Sequence, residues 1–178
     1  MSGFSGSFQM PGGVALRLVR SGDGDFLFRL FVDARPWLSW TDGGDDATRA
    51  LYEQQYRAMQ AGKDAVYPEH LDLVIERMGE AVGRVVVDLG YGNWRIAELQ
   101  IAAVAQRGGI GTNVVRGLQM AAARTGVCLR LAAPMFGSHG RRLYEQLGFR
   151  LCATDGALAQ MEWHPPDAAV AGRQEAGA

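Results

Sequence analysis

The stretch Gln106-Arg107-Gly108-Gly109-Ile110-Gly111-Thr112 decides the fold of this chain. It stands between an apolar, strand-like run over 96–104 and a helix-like run that begins near Thr112. Glycine tolerates backbone dihedrals that other residues avoid, so a loop of this composition can expose consecutive N–H groups. At a helix N-terminus these donors add to the positive end of the helix dipole, which favours phosphate. The stretch therefore predicts a phosphate-binding strand–loop–helix unit, against the alternative of a turn that binds nothing.

The register of the glycines excludes the two commoner phosphate loops. A Walker loop requires Gly-x-x-x-x-Gly-Lys-Ser/Thr, and the sequence contains no such run. A dinucleotide fingerprint requires a third glycine where this chain has Val114. The pattern here is Gln-x-x-Gly-x-Gly, which indicates a different phosphate-bearing ligand.

Size and composition predict one ordinary domain. The 178 residues are 48% hydrophobic with a net charge of −1, so we expect no bulk attraction to nucleic acid or to an anionic membrane. Cys128 and Cys152 are too few for a disulfide scaffold. The sequence has neither a membrane-spanning apolar run nor a signal-peptide pattern at its start, so we expect a cytoplasmic protein.

Hydrophobic periodicity predicts a domain over 14–164, between a flexible arm (1–13) and a disordered tail (165–178). The predicted order is β-α-α-β-β-β-α-β-α-β-β, a mixed α/β (α+β) fold. Gly62 is predicted to end the second helix, and Gly117, inside the third, to pack closely against another element. The unit at 94–133 should be a right-handed parallel crossover, whereas the other pairings are largely antiparallel. Strands are predicted at 14–20, 71–77, 81–89, 94–104, 127–133, 149–153 and 158–163, and helices at 23–35, 45–61, 112–125 and 141–147.

A second segment, Arg141-Arg142-Leu143-Tyr144-Glu145-Gln146-Leu147-Gly148-Phe149, contains Leu-Tyr-x-x-x-Gly-Phe. Together with the glycine-rich loop and the order of elements, it resembles the GNAT superfamily of acyl-CoA-dependent N-acetyltransferases. The resemblance covers about 14–164. It implies a mostly antiparallel central sheet with helices on both faces.

The resemblance also implies where the cosubstrate, acetyl-CoA, binds. Backbone amides of the loop from Gln106 to Thr112 would hold the coenzyme A pyrophosphate. The backbone of Leu99, Gln100 and Ile101 would pair with the pantetheine arm, in a gap where the fourth and fifth predicted strands splay apart. Ser138 stands where the family commonly has an asparagine that contacts the cofactor. The chain departs from the family's Arg-Gly-x-Gly, since here the basic Arg107 precedes Gly108.

Two residues are candidates for the chemistry. Tyr144 matches the family tyrosine that can protonate the departing thiolate, and its alternative role is that of a ring packed beside Leu147. Glu98 is the candidate general base for the attacking amine. Its alternative role is that of a strand carboxylate satisfied by Arg95 or by backbone donors.

We therefore expect an N-acetyltransferase that moves an acetyl group from acetyl-CoA to a primary amine by direct attack in a ternary complex. A noncatalytic acyl-CoA-binding or regulatory module is the alternative. The acceptor would be a small molecule or a peptide, and homodimers are common in the family. His70, His139 and His164 lack metal-ligand spacing, so no metal is expected.

Overall fold

An eight-stranded sheet forms the centre of the structure, a computed structural model that describes residues 6–40, 44–90, 92–135 and 139–166. The strand order is β1-β2-β3-β4-β5-β6-β8-β7. The strands are β1 (Ser7–Met10), β2 (Val14–Leu18), β3 (His70–Arg77), β4 (Glu80–Asp88), β5 (Asn93–Ile101), β6 (Cys128–Pro134), β7 (Arg150–Asp155) and β8 (Leu158–Trp163). The helices are α1 (Gly24–Asp33), α2 (Gly44–Val66), α3 (Ile110–Thr125) and α4 (His139–Gln146). From Val14 onward, the predicted order of helices and strands is confirmed.

The strands pair antiparallel except for β5 and β6, which are parallel. Their pairing runs only from Asn93 opposite Cys128 to Ile96 opposite Leu131. Beyond this point β5 continues to Ile101 along β4, while β6 continues along β8. The two strands therefore part in the middle of the sheet, and the edge of β5 that faces β6 loses its partner.

Helices cover both faces of the sheet. On one face, α3 buries Val114, Val115, Leu118 and Ala122 against apolar residues of the strands. On the other face, α1 and α2 pack together through the rings of Phe31 and Tyr52, which meet edge to face. The helices on each face thus bury apolar side chains.

The N-terminal segment is not a loose arm from Ser7 onward, and that expectation is wrong for these residues. Ser7–Met10 pairs with β2 as an edge strand, and the 3₁₀ turn Pro11–Gly13 connects the two. The reason lies in Gly117 of α3, where a Cβ would collide with Met10 Sδ. The close packing expected at Gly117 is thus confirmed, and its partner is the N-terminal segment. Residues 167–178 of the predicted tail lie outside the described residues.

Helix α2 is longer than predicted, because Gly62 does not end it. The helix continues to Val66, and the Tyr67 N–H still donates to the carbonyl of Lys63. The Lys63 ammonium in this last turn bonds to Asp72 of β3. This tertiary contact offsets the cost of about 1 kcal/mol for a glycine inside a helix.

In the described ranges, no helix combines the length and the apolarity that a membrane span requires.

Candidate functional site

The glycine-rich loop leads directly into α3. Gly109 is the residue before the helix and has φ 73°, a left-handed conformation that glycine adopts without strain. Arg107 also has a positive φ of 63°, which is uncommon for a residue with a side chain. Together they turn the chain sharply from the end of β5 into the helix.

From Arg107 onward, the backbone donors of this loop have no acceptor in the part of the chain that the structure describes. The Asn113 N–H is the first in the helix with an acceptor, the carbonyl of Gly109. Within the described residues, the N–H groups from Arg107 to Thr112 donate no hydrogen bond. The first turn carries neither a capping side chain nor an acidic residue. This helix N-terminus therefore has the donors and the positive potential that an anion requires.

Two arginines bring positive charge to the loop. Arg107 is exposed within it. Arg77, the last residue of β3, places Nη1 only 3.1 Å from where a Cβ on Gly108 would lie. A side chain at this position would displace Arg77, so glycine keeps the guanidinium against the loop. Sequence reasoning missed Arg77, because no local pattern links the end of β3 to a distant loop.

The backbone at the end of β5 divides the predicted pantetheine contacts. The Gln100 carbonyl lies against Gly83 of β4, so Gln100 faces that strand. Successive residues direct their peptide groups to opposite edges, so Leu99 and Ile101 face the gap left by β6. The Gln106 side chain donates to the Ile101 carbonyl at 2.9 Å, which fastens the loop to β5. The backbone groups of Leu99 and the Ile101 N–H therefore remain available to pair with an extended ligand. The backbone groups of Gln100 are directed at β4 and are not available.

A cleft of 530 Å³ connects the loop with the gap. Its lining comprises Leu99 and Ile101 of β5, Ala105, residues 106–112 except Gly108, and Gly140, Leu143 and Tyr144. The volume lies in the range of small-molecule and cofactor sites. The structure therefore brings most of the predicted cofactor residues to one cleft, together with the candidate acid Tyr144.

Tyr144 is held by packing. Its ring meets the ring of Phe149 edge to face at 5.8 Å, and the Phe149 N–H donates to its carbonyl. Burial raises the pKa of the Tyr144 phenol above the ordinary value. Its hydroxyl bonds to no other described residue. Tyr144 thus both packs against the core and lines the cleft.

A β-bulge orients Glu98. Val87 of β4 pairs with Ile96, but Val86 pairs with Glu98, so Ala97 is an extra residue in β5. If the register were regular, Glu98 would pair with Val85 and share the face of Ile96, which is packed under α3. The bulge turns Glu98 to the opposite face, under α1 and α2.

On that face Glu98 joins a buried polar chain. Arg84, 1% exposed, donates from Nε to Asp72 Oδ1 at 2.8 Å and from Nη2 to Gln60 at 3.0 Å. Its Nη1 lies 3.6 Å from Glu98 Oε2, and Lys63 binds the same Asp72. Burial disfavours the charge on Arg84, but its two carboxylate partners outweigh burial and raise its pKa. The partner of Glu98 is therefore Arg84 on the neighbouring strand, and not Arg95.

A second cleft, of 490 Å³, opens on this face. Glu98 and Gln100 line it from β5, and Arg35, Lys63 and residues around the end of α2 line it from the helices. Leu99 lines both clefts. The unpaired segment of β5 therefore borders both clefts.

Comparison with known proteins identifies this architecture. The sequence matches no family model and no curated protein. Among solved structures, PaiA N-acetyltransferase of Thermoplasma acidophilum in complex with coenzyme A is similar with a TM-score of 0.65 and 15% identity, over 85% of this chain and 98% of its own. Mycobacterium smegmatis RimJ in complex with CoA-disulfide is similar with a TM-score of 0.64 and 21% identity, over 94% of both chains. An acetyltransferase of Thermus thermophilus is similar with a TM-score of 0.64 and 20% identity, over 88% of this chain and 99% of its own. The chain has the GNAT fold.

One expected contact of this GNAT fold cannot be placed. Ser138 lies outside the described residues, so its predicted role toward the cofactor stays a prediction.

The structure also assembles residues that sequence spacing did not connect. Potential ligand atoms of Cys128, Glu162 and His164 lie within 4.8 Å of one another, beyond the two clefts. Glu162 lies on β8 and His164 just after it, two residues apart, beside Cys128 at the start of β6. This i, i+2 spacing of Glu162 and His164 was the only sign of the cluster that the sequence offered. Arg130 Nη2 binds Glu162 Oε1 at 3.0 Å. Because the carboxylate already has a cationic partner, we assign no metal to this cluster.

Proposed function

We propose that this chain is an N-acetyltransferase that transfers the acetyl group of acetyl-CoA to a primary amine by direct attack in a ternary complex. One observation carries the proposal: the two clefts share Leu99 in their linings, with Tyr144 in one and Glu98 in the other. A thioester entering from the loop side and an amine entering from the helix side would meet at the unpaired edge of β5.

The first cleft suits the parts of acetyl-CoA. The free N–H groups from Arg107 to Thr112 suit a pyrophosphate, and Arg77 adds positive charge beside them. The open edge at Leu99 and Ile101 suits the amides of a pantetheine arm, because these can pair with it as a further strand would. An amide of this edge, directed at the thioester carbonyl, would stabilise the negative charge that develops there.

The second cleft suits the amine. Glu98 Oε1 is buried and accepts no hydrogen bond from the described residues, while Oε2 faces Arg84. A carboxylate oxygen without a partner can accept a proton from an ammonium group, either directly or through a water molecule.

The proposed reaction moves three protons. The ammonium group gives one to Glu98, and the free amine nitrogen attacks the thioester carbonyl carbon. The carbon–sulfur bond then breaks, the thiolate takes a proton from Tyr144, and the nitrogen releases its second proton to solvent as the amide forms. The raised pKa of Tyr144 keeps this donor protonated at neutral pH. Product amide and free coenzyme A leave, and solvent restores both groups.

Turnover and binding together test the proposal. The purified chain is incubated with acetyl-CoA and a panel of primary amines, and free thiol and acetylated amine are measured. We expect both in equal amounts with at least one class of amine. Coenzyme A binding by calorimetry without turnover on any amine would favour the alternative, a noncatalytic acyl-CoA-binding module. Absence of binding would contradict both.

A further inference from the structure

Arg35 lines the acceptor cleft on a rigid platform. Its guanidinium carbon lies 4.1 Å from the centroid of the buried Phe31 ring, a cation–π geometry. Nη1 donates to the Phe31 carbonyl at 3.3 Å, and Nη2 lies 3.7 Å from Met59 Sδ. The Tyr52 hydroxyl bonds to the Arg35 carbonyl at 2.8 Å. The side chain is therefore positioned before any ligand binds.

These contacts leave most of the guanidinium's hydrogen-bonding capacity unused. A guanidinium has five N–H groups, and here one donates to a carbonyl and one faces a thioether sulfur. In the described parts of the chain, no carboxylate lies within ion-pair distance of Arg35. Burial lowers the pKa of Arg35, and nearby Glu98 opposes this effect only in part. A half-buried cation without a counter-ion is costly unless a ligand supplies one.

The other cations around the cleft have carboxylate partners. Arg84 and Lys63 both bind Asp72, Arg84 also faces Glu98, and Lys63 lies 3.9 Å from Asp64. Arg35 is thus the cation of the cleft that has no ion-pair partner among the described residues. Within the described residues, the cleft contains a carboxylate oxygen without a partner, which suits an amine, and a guanidinium without an ion pair, which suits an anion.

We propose that the acceptor is a small amino acid-like molecule whose carboxylate binds Arg35 while its amine lies at Glu98. The planar fork of a guanidinium matches two carboxylate oxygens, and a charge-assisted pair of this kind fixes the orientation of the ligand. This inference rests on the proposed function, because it assigns the acceptor of the same reaction. It makes Arg35 the residue that determines acceptor specificity.

Matched acceptors test it. Leucine, phenylalanine and β-alanine are compared with their amides and with the amines that lack the carboxyl group, isoamylamine, phenethylamine and ethylamine. We expect kcat/KM to be about 10- to 100-fold higher for at least one of the acids, the ratio that a hydrogen bond between charged groups contributes. Arg35→Gln should abolish the difference within that pair, mainly through KM, and Arg35→Lys should restore part of it. Arg49→Gln, which removes an exposed arginine of α2, is the matched control and should keep the wild-type preference.

Coenzyme A affinity and melting temperature are measured for every variant, so that misfolding is recognised. Binding of the same acids to the enzyme–coenzyme A complex is measured by calorimetry, in case turnover is slow. The inference is overturned if amides or simple amines are acetylated as well as the acids, or if Arg35→Gln keeps the preference. It is also overturned if none of the acids is bound or acetylated. Turnover of simple amines alone would still support the proposed function, whereas binding of coenzyme A without turnover of any amine would contradict that function itself.

Discussion

Arg84 Nη1 lies 3.6 Å from Glu98 Oε2, although the two residues belong to neighbouring strands and do not form a register pair. Arg84 is opposite Gln100, and the bulge at Ala97 brings Glu98 onto the same face. One oxygen of the carboxylate then faces a fully buried cation, and the other remains without a partner among the described residues. The arrangement leaves the carboxylate one oxygen that is free to accept a proton.

Replacing Glu98 tests this arrangement. Glu98→Gln keeps the shape of the side chain but removes the proton acceptor, so we expect kcat to fall by about 100-fold, the usual contribution of a general base. The KM for acetyl-CoA should change little, because Glu98 faces the other cleft. Steady-state thiol release measures both constants. Glu53→Gln, on the exposed surface of α2, is the matched control. An unchanged rate and pH profile in Glu98→Gln would mean that the base lies elsewhere.

Tyr144→Phe should lower kcat by about 100-fold while the ring still packs on Phe149. Coenzyme A affinity should stay within about twofold of wild type, since the phenol acts on the departing thiolate and does not hold the phosphates. Stopped-flow measurement of thiol release would give the rate of the chemical step. Full turnover in this variant would leave Tyr144 with a packing role only.

The buried phenol also predicts a pH dependence of stability. Burial raises the pKa of Tyr144 in the folded state above its value of about 10 in the unfolded chain. The folded state therefore holds this proton more tightly, and its contribution to the free energy of unfolding is present below about pH 10 and is lost as the pH rises further. Denaturant titrations across this range should show a smaller decline for Tyr144→Phe than for wild type. Equal declines would contradict the assignment.

Thr112 separates a ligand-binding role of the loop from a structural one. A glutamate in the first turn of α3 interacts well with the helix dipole, so Thr112→Glu should raise the free energy of unfolding by about 0.3–1 kcal/mol. The same charge would repel a pyrophosphate, so coenzyme A affinity should fall by about tenfold or more. Thr112→Gln is the control for size. Stability and affinity changing in the same direction would argue against phosphate binding here.

Gly117 and Met10 should be coupled. Alanine stabilises an ordinary helix interior relative to glycine, but here its Cβ would collide with Met10 Sδ. We expect Gly117→Ala to destabilise the fold by about 1–3 kcal/mol. Adding Met10→Ala should recover part of this loss, and a double-mutant cycle in denaturant measures the coupling. Additive effects would mean that β1 does not pack on α3.

The sequence predicted the order of elements well, because the apolar residues of α3 and of the strands recur with clear periods. It missed β1, since the alternation of Ser7–Met10 covers only four residues of a Gly- and Ser-rich stretch, and the strand is largely exposed. The sequence predicted close packing at Gly117 but could not identify Met10 at the end of β1 as the partner. The sequence also ended α2 too early, because the tertiary bond between Lys63 and Asp72 outweighs the local preference of Gly62.

For the site, local motifs were informative and long-range geometry was not. The loop and Tyr144 could be identified, because each belongs to a short continuous pattern, and the structure brings them to one cleft. The partner of Glu98 could not, because a bulge leaves no signature in the sequence and changes the face to which a residue belongs. Arg35 and Arg77 were missed because each belongs to a segment distant in sequence from the residues it approaches. Arg35 lines the second cleft, and Arg77 lies beside Gly108 of the loop.

The measurement that tests the account most directly is release of free thiol from acetyl-CoA by the purified chain, with the acetylated amine quantified in the same reaction. We predict amine-dependent thiol release equal to acetylated product, and its loss in both Glu98→Gln and Tyr144→Phe. Tight coenzyme A binding with no thiol release on any amine, or release that both variants retain, would contradict the proposed acetyl transfer at Leu99.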